Sequence, residues 1–140
     1  MRNSDTHSKL IIKPLLFSVL FLLIPITVSA QVPTDRVVDF INSQALQEGV
    51  TVSLAEAVAQ AESNFNSDAK NASSSASGIY QFTNGTFQSM CIDKYHIANS
   101  MTEKNSYTTQ TICAIKMIKD GYLGRWDASK TVWSKLAMET

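Results

Sequence analysis

Ser53-Leu-Ala-Glu-Ala-Val-Ala-Gln-Ala-Glu62 leads through the polar loop Ser63-Asn-Phe-Asn-Ser-Asp-Ala-Lys-Asn-Ala-Ser-Ser-Ser-Ala-Ser77 into Gly78-Ile-Tyr-Gln-Phe82, and the fold turns on this stretch. Its first part predicts an amphipathic helix, because Leu54, Ala57, Val58 and Ala61 fall in one stripe when each residue advances by about 100°. Ser53 and Glu56 form a capping-box pattern at its start. Glu62 lies at the edge of the stripe and at the helix's C-terminal end. The negative end of the helix dipole and burial beside Val58 and Phe65 would both disfavour its ionisation. A carboxyl group that keeps its proton near neutral pH is a candidate general acid. An ordinary surface glutamate occupies the same kind of position, so the surrounding sequence has to decide between the two.

Outward from this stretch the chain reads as helices joined by polar loops. Pro33-Thr34-Asp35 can start a helix whose apolar positions are Val37, Val38, Ile41, Ala45 and Leu46, with Gly49 placed to end it. Gly78–Phe82 is short and aromatic and precedes the turn signal Asn84-Gly85, which fits a small hairpin or an extended piece. A third helix is expected through Phe87, Met90, Cys91 and Tyr95, then an aperiodic polar stretch from Asn99 to Tyr107. A fourth carries Ile112, Ile115 and Ile118, with Gly121 as C-cap. A last short helix begins at Trp126 and Asp127, with Asp127 as N-cap ahead of Val132, Trp133 and Leu136. The fold class is mainly α, an α+β arrangement with one short β-hairpin or extended segment.

The chain has 140 residues, enough for one domain with a modest core. Residues 1–30 stand apart in composition. Arg2, Lys9 and Lys13 precede the apolar run from Leu15 to Val28, and Val28-Ser29-Ala30 supplies small residues where a signal peptidase reads. The expectation is a secretory signal cleaved after Ala30, a domain spanning 31–140, and a periplasmic or extracellular location. The alternative is a retained anchor, for which the run is short and is interrupted by Pro25. Lys plus Arg and Asp plus Glu number twelve each; without Arg2, Lys9, Lys13 and Asp5 they become nine against eleven, a formal charge of −2. No basic run is interleaved with aromatics, which argues against a nucleic-acid partner. Cys91 and Cys113 both fall in the exported part, where oxidation is the default. One disulfide between two helices is expected, worth about 3 kcal/mol; free buried thiols are the alternative. A zinc site would need two more ligands, and after export His96 is the only histidine.

Ala61-Glu62-Ser63-Asn64-Phe65-Asn66 and Gly78-Ile79-Tyr80-Gln81-Phe82, in this order and at this separation, resemble the helix-terminal Glu-Ser motif and the Gly-x-x-Gln segment of the lytic transglycosylases. These are lysozyme-like enzymes that cleave the glycan strands of bacterial peptidoglycan. The resemblance covers roughly residues 50 to 136. It implies a lysozyme-like fold with the short segment beside an active-site cleft. It also implies that Glu62 protonates the glycosidic oxygen and then takes the proton from the C6 hydroxyl of the muramoyl sugar, leaving an anhydro end. Ser63 would orient that carboxyl or an N-acetyl group, or else satisfy a backbone carbonyl at the helix end. Gln81 would contact the sugar near the cleavage point, and Tyr80 would form part of the groove wall. Trp126 is open between a sugar-stacking platform and the core, whereas Trp133 reads as core.

The chain departs from the pattern where larger family members carry Ala-Tyr-Asn-Ala-Gly; here the region reads Ile115-Lys-Met-Ile-Lys-Asp-Gly-Tyr-Leu-Gly-Arg-Trp126. Tyr122 could supply a similar hydroxyl from a different offset, but a buried core tyrosine is the simpler reading. A hydrolase would need a second carboxylate about 5 to 9.5 Å from the first. Asp68 is the only candidate nearby in sequence, and a loop-capping role is the default for it. The preferred reading is thus a single-acid transglycosylase acting on peptidoglycan strands as a monomer, without cofactor or metal. A muramidase using Glu62 with Asp68, and a non-catalytic peptidoglycan-binding scaffold, are the alternatives. Small size suggests, by family analogy, an enzyme that opens the wall for an envelope-spanning secretion or conjugation apparatus.

Overall fold

A computed structural model describes residues 31–139, and the expected signal segment, residues 1–30, lies outside the described residues. Among the described residues five α-helices carry the fold: α1 (Thr34–Glu48), α2 (Val52–Ser63), α3 (Asn84–Thr86), α4 (Tyr107–Lys119) and α5 (Lys130–Glu139). Helix α3 continues without a break as a π-helix, Phe87–Lys94, and two 3-10 pieces, Met101–Glu103 and Tyr122–Ser129, precede α4 and α5. Among the described residues no helix is long and apolar enough to cross a membrane.

Helix α2 is the centre of the molecule. Ala55, Ala57, Val58 and Ala59 are all buried, so α2 is covered on more than the one stripe that its leucine and valine mark out. The run of alanines permits this, because small side chains let α1, α4, α5 and the Tyr122–Ser129 segment all pack against it. Val37, Ile41 and Ala45 seal one side from α1, and Trp133 is buried on α5. Helix α1 ends as its sequence predicts: Gly49 takes the left-handed conformation at φ 71°. Glu48 then reaches α4, accepting from Lys119 at 2.9 Å and Lys116 at 3.3 Å, and the two ammonium groups hold its carboxyl below the usual range.

Cys91 in the π-helix and Cys113 in α4 form a disulfide, their Cα atoms 5.5 Å apart. The chain leaves the π-helix through Ile97 and Ala98, whose N–H groups both donate to the carbonyl of Cys91.

Several sequence expectations are corrected. Helix α2 starts at Val52 after Thr51, and its N-cap makes no side-chain hydrogen bond, so Ser53 and Glu56 are not a capping box. Asn84-Gly85 makes no hairpin turn; Thr83 Oγ1 accepts from Thr86 N and starts α3 there instead. The expected small hairpin or extended piece is present only as isolated antiparallel bridges, Lys70 with Ser77 and Ser77 with Phe82. Helix α5 begins at Lys130 rather than at an Asp127 cap, after the 3-10 run Tyr122–Ser129, within which Trp126 departs from helical geometry at φ −113°, ψ 25°. Leu46 is 72% exposed, just before the Gly49 turn.

Candidate active site

Glu62 is half-buried at the penultimate position of α2. Beyond it the chain reverses sharply, with Asn64 at φ 52° and Phe65 at φ 62°. Left-handed geometry at a bulky residue such as Phe65 is strained and persists only where surrounding contacts enforce it. Ser63 supplies one such contact, its Oγ donating to the carbonyl of Ile79 at 2.9 Å and lying 3.3 Å from that of Ala59. Ser63 thus pins the end of α2 to the Gly78–Phe82 segment and is turned toward backbone rather than toward the Glu62 carboxyl.

The Gly78–Phe82 segment gets its shape from two positions. At Gly78 φ is +80°, and a Cβ built there would lie 2.6 Å from Cδ and 2.7 Å from Oε1 of Gln110, so only glycine fits. Gln110 is fully buried on α4 and reads this segment's backbone: Oε1 accepts from Tyr80 N at 2.9 Å, while Nε2 donates to Ser77 O at 2.8 Å and Lys104 O at 2.6 Å. Gln81, at φ 51°, turns its Nε2 inward to Gly78 O at 2.8 Å and Ala69 O at 3.4 Å. Both donors of the Gln81 amide are therefore used, and its Oε1 is the atom left to meet a ligand.

The expected aromatic wall is inside the protein. Tyr80 is fully buried; its hydroxyl donates to Ala55 O at 3.1 Å, and burial, with a contribution from Glu56, pushes that hydroxyl's pKa upward. Trp126 is only 4% exposed, packs on Tyr80 and Phe82, and donates from Nε1 to Tyr80 O at 3.0 Å. These rings are posts that hold the Gly78–Phe82 segment against α2, and neither offers a free face to a sugar. Trp133 is core, as its spacing predicts, and donates to Trp126 O at 2.9 Å.

The Ser-rich loop between the two motifs is anchored rather than loose. Asn66 Oδ1 accepts from Asp68 N at 2.9 Å, and Ser77 Oγ donates to Asn105 Oδ1 at 2.6 Å. Lys104, only 7% exposed, donates from Nζ to Ser75 O and, at 2.9 Å, to Asn84 Oδ1. Burial lowers the pKa of that ammonium. Asp68 is exposed, and among the described residues no hydrogen bond ties its carboxylate to the site.

The side chain that meets Glu62 is Ser129, whose Oγ hydrogen-bonds Oε1 of the acid and also lies 3.1 Å from Trp126 O. Burial pushes the Glu62 carboxyl above its ordinary range, and the Ser129 hydroxyl works in the opposite direction. A surface hollow of about 250 Å³, lined by Gly121, Tyr122, Gly124 and Arg125, does not include Glu62. Among the described residues, no three His, Cys, Asp or Glu side chains are grouped to hold a metal ion.

The sequence points to Glu62, Ser63, Tyr80, Gln81 and Trp126 but not to Gln110 or Ser129. Gln110 carried a usable signal: with Cys113, Ala114 and Met117 it completes a buried stripe on α4, and a lone amide on an apolar stripe calls for backbone partners. Ser129 lies 67 residues from Glu62, and nothing local in the sequence announces the contact.

The chain matches the family model described as "Transglycosylase SLT domain" over residues 39–128, which takes in Glu62, Gly78, Gln81 and Trp126. Searches of curated proteins and of solved structures each found no match. The matched span is well over half the chain, and its helical architecture is that of a small lysozyme-like domain; the protein belongs to the transglycosylase SLT domain family, the lytic transglycosylases of the lysozyme-like superfamily.

Proposed function

We propose that the protein is an exported peptidoglycan lytic transglycosylase that cleaves the β-1,4 bond between N-acetylmuramic acid and N-acetylglucosamine, with Glu62 as its one catalytic carboxyl. The observation that carries this reading is the half-buried Glu62 at the end of α2, biased by burial toward its protonated form and, among the described residues, hydrogen-bonded only to an uncharged hydroxyl. In the first step the Glu62 proton passes to the glycosidic oxygen, the C1–O bond breaks, and the leaving sugar departs as an alcohol. Positive charge then develops at C1 of the muramoyl ring. Glu62, now a carboxylate, removes the proton from the C6 hydroxyl, and O6 bonds to C1 to give the 1,6-anhydro end. Glu62 is reprotonated by this step and is ready for the next turnover.

The remaining residues take narrower roles. Gln81 Oε1 accepts a hydrogen bond from a sugar hydroxyl or acetamido N–H, since its two donors serve Gly78 and Ala69. Ser63, Tyr80 and Trp126 act by fixing backbone: they hold the end of α2 and the Gly78–Phe82 segment in register. Export with cleavage after Ala30 follows from the residue 1–30 pattern. Service to an envelope-spanning secretion or conjugation apparatus rests on small size and family analogy.

The test is incubation of the purified protein with purified peptidoglycan and mass analysis of the soluble fragments. Anhydro ends support the proposal. Reducing ends would point instead to a muramidase, and release of nothing by the wild-type protein would point to a binding scaffold.

A further inference from the structure

Ser129 lies one residue beyond the 39–128 span matched by the family and is the side chain in contact with the candidate acid. Its hydroxyl has a single proton and two oxygens within reach, Glu62 Oε1 and Trp126 O. The Trp126 carbonyl does not depend on it, because Trp133 Nε1 already donates there at 2.9 Å. The carbonyl is also rigidly placed, since the buried Trp126 ring is tied through Nε1 to Tyr80 O. Ser63, the serine adjacent to the acid in sequence, is committed to the carbonyl of Ile79 and does not compete for this position.

We infer that Ser129 is a positioning residue that holds Glu62 in one orientation through both of its protonation states by reversing the direction of their shared hydrogen bond. When Glu62 is ionised, Ser129 donates its proton to the carboxylate. When Glu62 is protonated, the carboxylic acid donates to Oγ and the serine proton turns to the Trp126 carbonyl. Ser129 keeps its own proton throughout; the proton that moves to substrate and back belongs to Glu62. A carboxyl that acts as acid and then as base within one turnover needs a partner able to serve both forms, and a fixed donor such as lysine or arginine serves only one.

This inference rests on the transglycosylase reading for its catalytic meaning, whereas the contact itself can be tested without turnover. The charged side chains on α2, the following loop, the 3-10 segment and the start of α5 are Glu56, Asp68, Lys70, Arg125, Asp127 and Lys130. None of these is hydrogen-bonded or ion-paired to Glu62; burial raises its proton affinity and Ser129 alone opposes.

The experiment compares wild type, Ser129→Ala, Ser129→Thr and Glu62→Gln by two readouts: peptidoglycan turnover across pH, and titration of the Glu62 carboxyl carbon by 13C NMR. Ser129→Ala is expected to stay folded with at most a few degrees lost in melting temperature, lose up to about 100-fold in kcat with KM unchanged, and shift the Glu62 midpoint upward because the charge-assisted bond it loses to the carboxylate is stronger than the neutral bond it loses to the acid. Ser129→Thr keeps the hydroxyl and is expected to keep the wild-type midpoint. An unmoved midpoint together with unchanged kcat in Ser129→Ala, beside an active wild type and an inactive Glu62→Gln, overturns the inference and leaves the function standing. An inactive wild type, or an active Glu62→Gln, overturns the functional reading and the catalytic role of Ser129 with it.

Discussion

Replacing Gly78 with alanine is the sharpest structural probe of the site, since one methyl group there meets two separate penalties. The first is conformational: a left-handed φ of +80° costs an L-residue about 1 to 2 kcal/mol. The second is steric, because the new Cβ would overlap the Gln110 side-chain amide. That amide is fully buried and bonded to Tyr80 N, Ser77 O and Lys104 O, so moving it strands at least one buried polar group at about 1 to 3 kcal/mol. The expected loss is therefore about 2 to 5 kcal/mol, a large share of the roughly 5 to 15 kcal/mol that holds a domain together. Urea unfolding followed by fluorescence of the buried Trp126 and Trp133 measures it. Gly85→Ala is the internal control: nothing lies within 4 Å of a Cβ at that position, so stability should hold or rise by up to about 1 kcal/mol. A Gly78→Ala loss below about 1 kcal/mol, or equal losses at the two glycines, would refute the close packing of Gln110 on Gly78.

Gln110→Leu should cost about 3 kcal/mol or more by the same unfolding assay, as it leaves one N–H and two carbonyls without their partner. Glu62→Gln should stabilise the fold in a pH-dependent way. Because the native carboxyl's pKa is raised, the unfolded chain ionises first as pH climbs past the ordinary value of 4.5, and wild-type stability falls until pH passes the native value. The variant's advantage should thus be small near about pH 4 and larger near about pH 7 in thermal melts; an equal difference at both would contradict the burial of the acid. Reducing Cys91–Cys113, which links residues 22 apart in sequence, should cost about 3 kcal/mol by denaturant midpoint, and Cys91→Ser should cost the same with or without reductant.

Much of this architecture can be read from local patterns. Gly49 ends α1 in the left-handed state that a C-terminal glycine predicts, and Val37, Ile41 and Ala45 form its buried face. The readings that failed did so where tertiary contacts outweigh local preference. Ser53 and Glu56 have the spacing of a capping box, yet the cap position falls two residues earlier, at Thr51, in a central helix covered by several partners. Asn84-Gly85 has turn chemistry but sits just behind Thr83, whose side chain caps a helix instead. Within the site, Glu62 was legible because its role follows from a helix end and a neighbouring motif. Tyr80 and Trp126 look like sugar platforms in sequence because aromatic rings serve surfaces and cores alike; only the direction of their polar atoms, toward Ala55 O and Tyr80 O, assigns them to the interior. Ser129 was illegible for a simpler reason, being brought to the acid by the packing of α5 and its 3-10 lead-in on α2.

The most direct test of the central claim is mass analysis of the fragments that wild type and Glu62→Gln release from purified peptidoglycan. Single-acid chemistry predicts muropeptides from the wild type whose muramoyl ends are lighter by one water than reducing ends, and a loss of release of about 10²- to 10⁴-fold in a Glu62→Gln protein that remains folded. Reducing ends from the wild type, or undiminished anhydro products from Glu62→Gln, would contradict it.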